Sequence, residues 1–184
     1  AAMFARSGET RGVKKRKFSF GNYIAGDLYY PEGSEKSETK IPAVVWLHSL
    51  NNAGGYIPNY RRGPLPHLRL VEAGFAVLTY DQIGNGYRLE EITHFYNRYP
   101  KWSLLGKTIA DARSILDVLD EVPFIDPERI FLVGYDMGAK VALHTAATPA
   151  IHYLARYVPF TRECPFIPEP ALQDHVAGSE STMV

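Results

Sequence analysis

The stretch RIFLVGYDMGAKVALHTAA, Arg129 to Ala147, decides how the chain is read. Its first half is apolar and strand-like, and its second half has the character of a helix. Between them lies Gly134-Tyr135-Asp136-Met137-Gly138. Glycines at 134 and 138 let a strand turn sharply into a helix and let the two pack closely. The side chain at the middle of such a turn is held at the carboxyl edge of the sheet, and here that residue is Asp136.

Outward from this turn, strand and helix alternate. Lys17–Phe20 and Tyr23–Tyr30 predict two strands that turn at Gly21-Asn22, the second stopped by Pro31. The following EGSEKSETK is polar and aperiodic and predicts an exposed loop. IPAVVWLH is a continuous apolar run, as expected for a strand buried on both faces of a parallel sheet. Leu65, Leu68 and Val71 predict a helix within Pro64–Ala73, with Gly74 as its stop. FAVLTYD reads as another buried strand. Leu105, Ile109, Ala112, Ile115, Leu116 and Leu119 then predict one helical stripe. Pro123 and Asp126-Pro127 are expected to break the chain before RIFLVGYD. The alternation implies an α/β fold with a mostly parallel sheet, helices on both faces and an N-terminal antiparallel hairpin. A single domain over 1–184 is expected, with a recognisable core at 17–148 and an irregular tail at 149–184. Prolines at 149, 159, 165, 168 and 170 argue against a buried strand in that tail.

Twenty basic and twenty acidic residues cancel, so no global field draws the chain to nucleic acid or to an acidic membrane. Lys14-Lys15-Arg16-Lys17 is the one dense basic run and reads as the solvated lead-in to the first strand. Cys164 is the single cysteine, which excludes an internal disulfide and a multi-cysteine metal site. No apolar run approaches the roughly 20 residues that span a bilayer. Nor is there an apolar leader core at the N-terminus. A soluble chain is expected, cytoplasmic or exported after removal of a leader. His48, Asp81 and His94 have no ligand-pair spacing, and Gly84-Asn85-Gly86 lacks the third glycine of a phosphate loop. Neither a metal nor a cofactor is therefore expected.

Several of these features, in order, resemble the α/β-hydrolase superfamily, closest to its dienelactone-hydrolase and acetyl-xylan-esterase-like branches. The resemblance covers about Phe18 to Ala147. An N-terminal hairpin ends in Leu28-Tyr29-Tyr30-Pro31, and PAVVWLHSLNNAGG is similar to the strand and His-Gly-type oxyanion loop. YDQIGNG is similar to the Asp-x-x-Gly-x-Gly loop after the next strand, WSLLGKTIADARSILDVL to the helix before the elbow, and DPERIFLVGYDMGAKVAL to the elbow itself. Two positions depart from the pattern. Ser49 stands where a glycine usually follows the histidine, and Asp136 stands where the elbow usually carries serine.

The resemblance implies a hydrolase of an ester-like or otherwise electrophilic carbon substrate, a small molecule, with Asp136 as nucleophile. A carboxylate needs no base to become nucleophilic at neutral pH, and superfamily members with an elbow Asp form an ester on it that activated water then hydrolyses. The oxyanion hole would comprise the backbone N–H of Met137, at a helix N-terminus, and a donor near Leu50 in the loop that also holds His48, Ser49 and Asn51, with Tyr135 beside the site. Against this stands a second reading of Asp136, as a cap accepting hydrogen bonds from the helix that follows. In superfamily order the acid and then the histidine follow the elbow. His175 has the best chain order, with Glu169 or Glu163 as orienting acid, while His144 reads as helix packing and His152 lies in an amphipathic stretch. Trp46, Tyr56, Tyr60, Tyr80, Tyr87, Trp102 and Tyr135 would suit an apolar or sugar ligand. Trp46 and Tyr80 read equally well as core. A complete member needs further strands after the elbow helix, so the tail is expected either to belong to an incomplete chain or to be completed by a homo-oligomer. The alternative to an enzyme is a catalytically inactive hydrolase-like module that binds through the same pocket.

Overall fold

The computed structural model describes residues 12–21, 23–50, 54–56 and 65–148, and the backbone of 158–160. Among these, six strands make one sheet in the order β1-β2-β4-β3-β5-β6. They are β1 Val13–Phe20, β2 Ile24–Pro31, β3 Ile41–Leu47, β4 Ala76–Tyr80, β5 Ile125–Tyr135 and β6 Val158–Phe160. β3 lies between β4 and β5 and is parallel to both, with Val45 opposite Leu78 on one side and Leu132 on the other. β1 and β2 form the antiparallel hairpin, which joins the sheet through antiparallel β2–β4 pairing. Gly21 and Tyr23 take positive φ at its turn.

Strand side chains alternate between two apolar layers, as a sheet covered on both faces requires. On one face Val44, Trp46 and Val77 pack with Val71 of α1 (Pro66–Glu72). On the other, Ala43, Val45, Leu47, Leu78 and Tyr80 pack beneath α3 (Leu104–Asp120) and α4 (Met137–Ala146). α3 contributes Ala112, Ile115, Leu116 and Leu119 to that layer, and α4 contributes Val141 and Ala142. Each fully buried Leu or Ile stabilises by about 1.5–3 kcal/mol, so α3 is held by its apolar face more than by propensity. Its start is set by Ser103, whose hydroxyl accepts from the Gly106 N–H at 3.0 Å. A short α2, Phe95–Arg98, precedes it.

Four expectations need correction. The basic run is inside β1 rather than ahead of it; Lys14, Lys15, Arg16 and Lys17 are exposed on the strand that stands first in the order of the described strands, where charge suits an edge. Asp126-Pro127 does not end the strand. β5 starts at Ile125 and absorbs those residues in an irregularity, pairing Ile125 with Ile41 and Ile130 with Ala43. The tail supplies a strand despite its prolines: β6 runs parallel to β5, with Pro159 opposite Gly134. Proline fixes φ and lacks the N–H, and β6 is a three-residue strand that stands last in the order of the described strands, a position where proline is found. Finally, the stripe on α3 is displaced. Leu105 is exposed, while Lys107, Thr108 and Asp111 are buried.

Candidate active site

At the carboxyl end of β5 the backbone of Asp136 has φ 54° and ψ −112°. An L-residue reaches this region at a cost of about 1–3 kcal/mol, so surrounding packing must impose it. Two glycines show how. A Cβ on Gly134 would collide with the backbone of Gly138, and a Cβ on Gly138 would collide with the carbonyls of Leu47 and His48. The strand, the helix and the end of β3 therefore touch backbone to backbone.

Asp136 precedes the first residue of α4, yet its side chain makes no capping hydrogen bond. Only its carbonyl serves the helix, accepting from the N–H groups of Ala139 at 3.1 Å and Lys140 at 3.4 Å. The capping reading of the aspartate is thus set aside. Asp136 is exposed, and its Oδ2 accepts from the Ser49 hydroxyl at 2.7 Å. Met137, the first residue of α4, sits at the helix's positive end.

The loop that carries Ser49 is itself pinned. The buried ring of His48 bonds the Ser49 carbonyl through Nδ1 at 2.5 Å, and its Nε2 accepts the Gln82 N–H at 3.1 Å. An amide N–H can meet only an unprotonated nitrogen, so the proton is on Nδ1 and the ring is neutral. Burial lowers the His48 pKa below its ordinary value, outweighing the raising effects of the Ser49 carbonyl and of Asp81. Gln82 closes the arrangement, its Nε2 donating to the His48 carbonyl at 2.6 Å. His48 thus acts as a loop brace.

A second brace lies behind. Asp81, buried at the end of β4, accepts the Tyr56 N–H and the Tyr87 N–H, each at 2.9 Å, and so ties both loops to the sheet. Gly86, with φ 52°, closes directly on the Asp81 carboxylate. Arg88 donates to the Asp81 carbonyl at 3.3 Å and forms a two-pronged pair with Glu91 at 2.9 Å for each bond. It also meets Asp111 at 3.0 Å, and Asp111 pairs in turn with Lys107. Burial works against the charge on Arg88, yet the hydrogen bond to Glu91 and the two carboxylates keep its pKa raised. These buried charges fasten the start of α3 to the loop after β4.

Beside the elbow is a cleft of about 240 Å³. Leu104, Leu105 and Thr108 of α3, Met137 and Val141 of α4, and His48, Ser49 and Leu50 line it, with Gln82, Ile83 and Asn85. Asp136, Met137, His48, Ser49 and Leu50 thus meet at the carboxyl ends of β3 and β5, where open α/β sheets bind ligands. Tyr135, half-buried, ends β5 opposite Phe160 of β6. Asn51, Glu169 and His175 lie outside the described residues, as do Tyr60, His152 and Glu163. His144 is exposed in the last turn of α4, not packed, and eight residues of helix put it about 12 Å along the axis from the elbow.

Among the described residues, none of the aromatic side chains that would suit an apolar or sugar ligand lines this cleft. Trp46 and Tyr80 are core residues on opposite faces of the sheet, and Tyr87 is 99% exposed. The Tyr56 hydroxyl donates to Asp27 at 2.5 Å, and burial raises its pKa far above the ordinary range. The apolar part of the cleft lining is aliphatic, with Met137, beside the polar His48, Ser49, Gln82, Asn85 and Thr108. Sequence reading missed Gln82, Asp81 and the Arg88–Asp111–Lys107 group. One signal was present: Lys107 and Asp111, four apart, interrupt an otherwise apolar helix face.

Comparison with known proteins agrees with this architecture. The chain is 31% identical over 129 residues to "Esterase FrsA" of Serratia proteamaculans, covering 68% of this chain and 26% of that protein. It is 28% identical over 132 residues to "Hydrolase LUC6" of a Fusarium species, covering 71% of this chain and 29% of that one. The chain thus spans less than a third of the length of either relative. Acetyl xylan esterase 1 from a Thermoanaerobacterium species superposes with a TM-score of 0.57 at 18% identity, over 77% of this chain and 46% of that one. The model of the alpha/beta hydrolase family matches residues 44–178. With the elbow, the parallel β4-β3-β5 sheet and that match together, the chain belongs to the alpha/beta hydrolase family.

Proposed function

We propose that this chain is a hydrolase of ester-like or electrophilic carbon substrates, with Asp136 as nucleophile. The observation that carries the reading is the Asp136 backbone. A strained conformation at φ 54° delivers a carboxylate that does not cap its helix and is open to solvent. Strain of this kind persists where the fold over-determines it, and it clusters at reacting positions.

In this reading one carboxylate oxygen attacks the substrate carbon and the leaving group takes the bonding electron pair, so that Asp136 carries an ester after attack on an alkyl carbon, or a mixed anhydride after attack on the acyl carbon of an ester. The backbone N–H of Met137, with a donor near Leu50, would form the oxyanion hole. The mainly aliphatic cleft would seat an apolar portion of the substrate. Hydrolysis of the ester needs a base, and chain order assigns it to His175 with Glu169 orienting the ring. The relative named as an esterase supports the ester class.

The test is intact-mass measurement after incubation with a p-nitrophenyl ester, a primary bromoalkane and an aryl epoxide. A covalent adduct mapped to Asp136, absent from Asp136→Ala, is the expected result. Turnover of any of these by Asp136→Ala at the wild-type rate would end the nucleophile assignment. A clean mass with every probe would leave a binding module on the same fold.

A further inference from the structure

We infer that the Ser49 hydroxyl is an oxyanion donor for the second half of the reaction, hydrolysis of the ester on Asp136; this rests on Asp136 being the nucleophile. The two departures from the family pattern, Ser49 and Asp136, meet in one hydrogen bond of 2.7 Å from Oγ to Oδ2. The hydroxyl does not depend on Asp136 alone for its place. His48 and Gln82 hold the 48–49 peptide, and Gly138 abuts the Leu47 and His48 carbonyls from below.

That bond makes the two carboxylate oxygens unequal. Oδ2 is engaged by a donor, so Oδ1 is the better nucleophile. Oδ1 forms the new bond to carbon, and the leaving group takes the bonding pair. Oδ2 then becomes the carbonyl oxygen of the ester, still facing Ser49. Water adds to Cγ as the base removes its proton, and the carbonyl pair moves onto Oδ2. Collapse breaks Cγ–Oδ1; the product departs carrying Oδ1 and takes the proton from the base. Asp136 is left as a carboxylic acid with one oxygen from water, and it regains its carboxylate by releasing the remaining water proton to solvent.

The negative charge of this second step therefore develops on the atom that Ser49 already touches, and a hydroxyl bond to an anionic oxygen strengthens as charge grows. In the first step the same bond acts in the opposite sense, because it stabilises the carboxylate that must attack. The hydroxyl thus slows, or leaves unchanged, ester formation and speeds ester hydrolysis. A residue that merely kept the loop in shape would move both steps together.

The experiment is rapid-quench intact mass on the full chain, using whichever of the bromoalkane and the epoxide labels the wild type. Wild type, Ser49→Ala and Ser49→Thr are compared, with circular dichroism melts to establish that each variant is folded. Ser49→Ala is expected to form the adduct at least as fast as wild type and to lose it about 10²–10³-fold more slowly, the loss seen on removing one oxyanion donor. Ser49→Thr, which keeps the hydroxyl, is expected to hydrolyse within about tenfold of wild type on the same scale. A single turnover in heavy-oxygen water is expected to leave one heavy oxygen in the Asp136 peptide. Equal adduct lifetimes in wild type and Ser49→Ala, or equal slowing of both steps, would overturn the inference while leaving the nucleophile intact. If no probe labels wild-type Asp136, the nucleophile reading itself falls and this inference goes with it.

Discussion

Gly138 and Leu47 meet without a side chain between them: a Cβ at 138 would fall inside contact distance of the Leu47 carbonyl oxygen. Through this contact the first turn of α4 is seated on the end of β3, and the loop from His48 is brought to the elbow. Two effects oppose one another in Gly138→Ala. Alanine raises helix propensity by about 1 kcal/mol. The obstacle, however, is backbone that cannot rotate aside, and overpacking costs about 1–3 kcal/mol or more. Destabilisation by about 1–2 kcal/mol is expected, read as a lower urea midpoint at unchanged slope. A raised midpoint would mean the loop can yield.

Substitutions at Asp136 separate strain from capping by their order. Strain at φ 54° predicts that Asp136→Gly is the most stable of the set, above Asp136→Ala and Asp136→Ser by about 1 kcal/mol. A capping role would instead put serine level with aspartate and well above alanine. Thermal and urea unfolding of the three variants give the order directly. Turnover is expected to vanish in all of them.

Asp111 is 2% exposed and meets both Arg88 and Lys107. Asp111→Ala would leave two buried cations short of a counter-charge, and breaking a buried pair this way costs about 3–5 kcal/mol. Glu91 is more accessible, so Glu91→Gln is expected to cost less, about 1 kcal/mol. Equal losses in the two variants would contradict the assignment of Asp111 as the centre of the group.

His48 links stability to pH. Burial lowers its folded pKa from the ordinary 6.5, so below that value the unfolded chain binds the proton more readily than the folded one. The sign follows: its contribution is fully present above pH 6.5 and is lost as pH falls from there through the folded pKa. One such proton is worth up to about 1.4 kcal/mol per pH unit. Urea unfolding between pH 7 and pH 5 is expected to show a shallower decline in His48→Gln than in wild type. Parallel slopes would remove His48 as the source.

The central sheet was legible from local pattern. The apolar runs of β3, β4 and β5 declare a buried parallel layer, because a strand covered on both faces leaves no polar period. Gly134 and Gly138 likewise announce the elbow, since only missing side chains permit that approach. Where reading failed, a local preference was overridden. Leu105 fits the apolar period but lines the cleft, and Asp111 breaks the period but lies buried among cations. Pro159 disfavours a strand in general, yet it is accommodated in a three-residue strand that stands last among those described.

What the chain determined by itself is therefore what period and backbone freedom encode: the α/β class, the order of elements and the sharp turn at 136. What only the tertiary structure decided is which distant groups meet there. Ser49 and Asp136 are 87 residues apart, and nothing in either neighbourhood specifies the other. Their bond exists because β3 and β5 are adjacent and in parallel register, with Leu47 opposite Gly134, so both chains leave the sheet at the same edge. Hydrogen bonds act over a few ångströms, and that proximity is a property of the folded sheet.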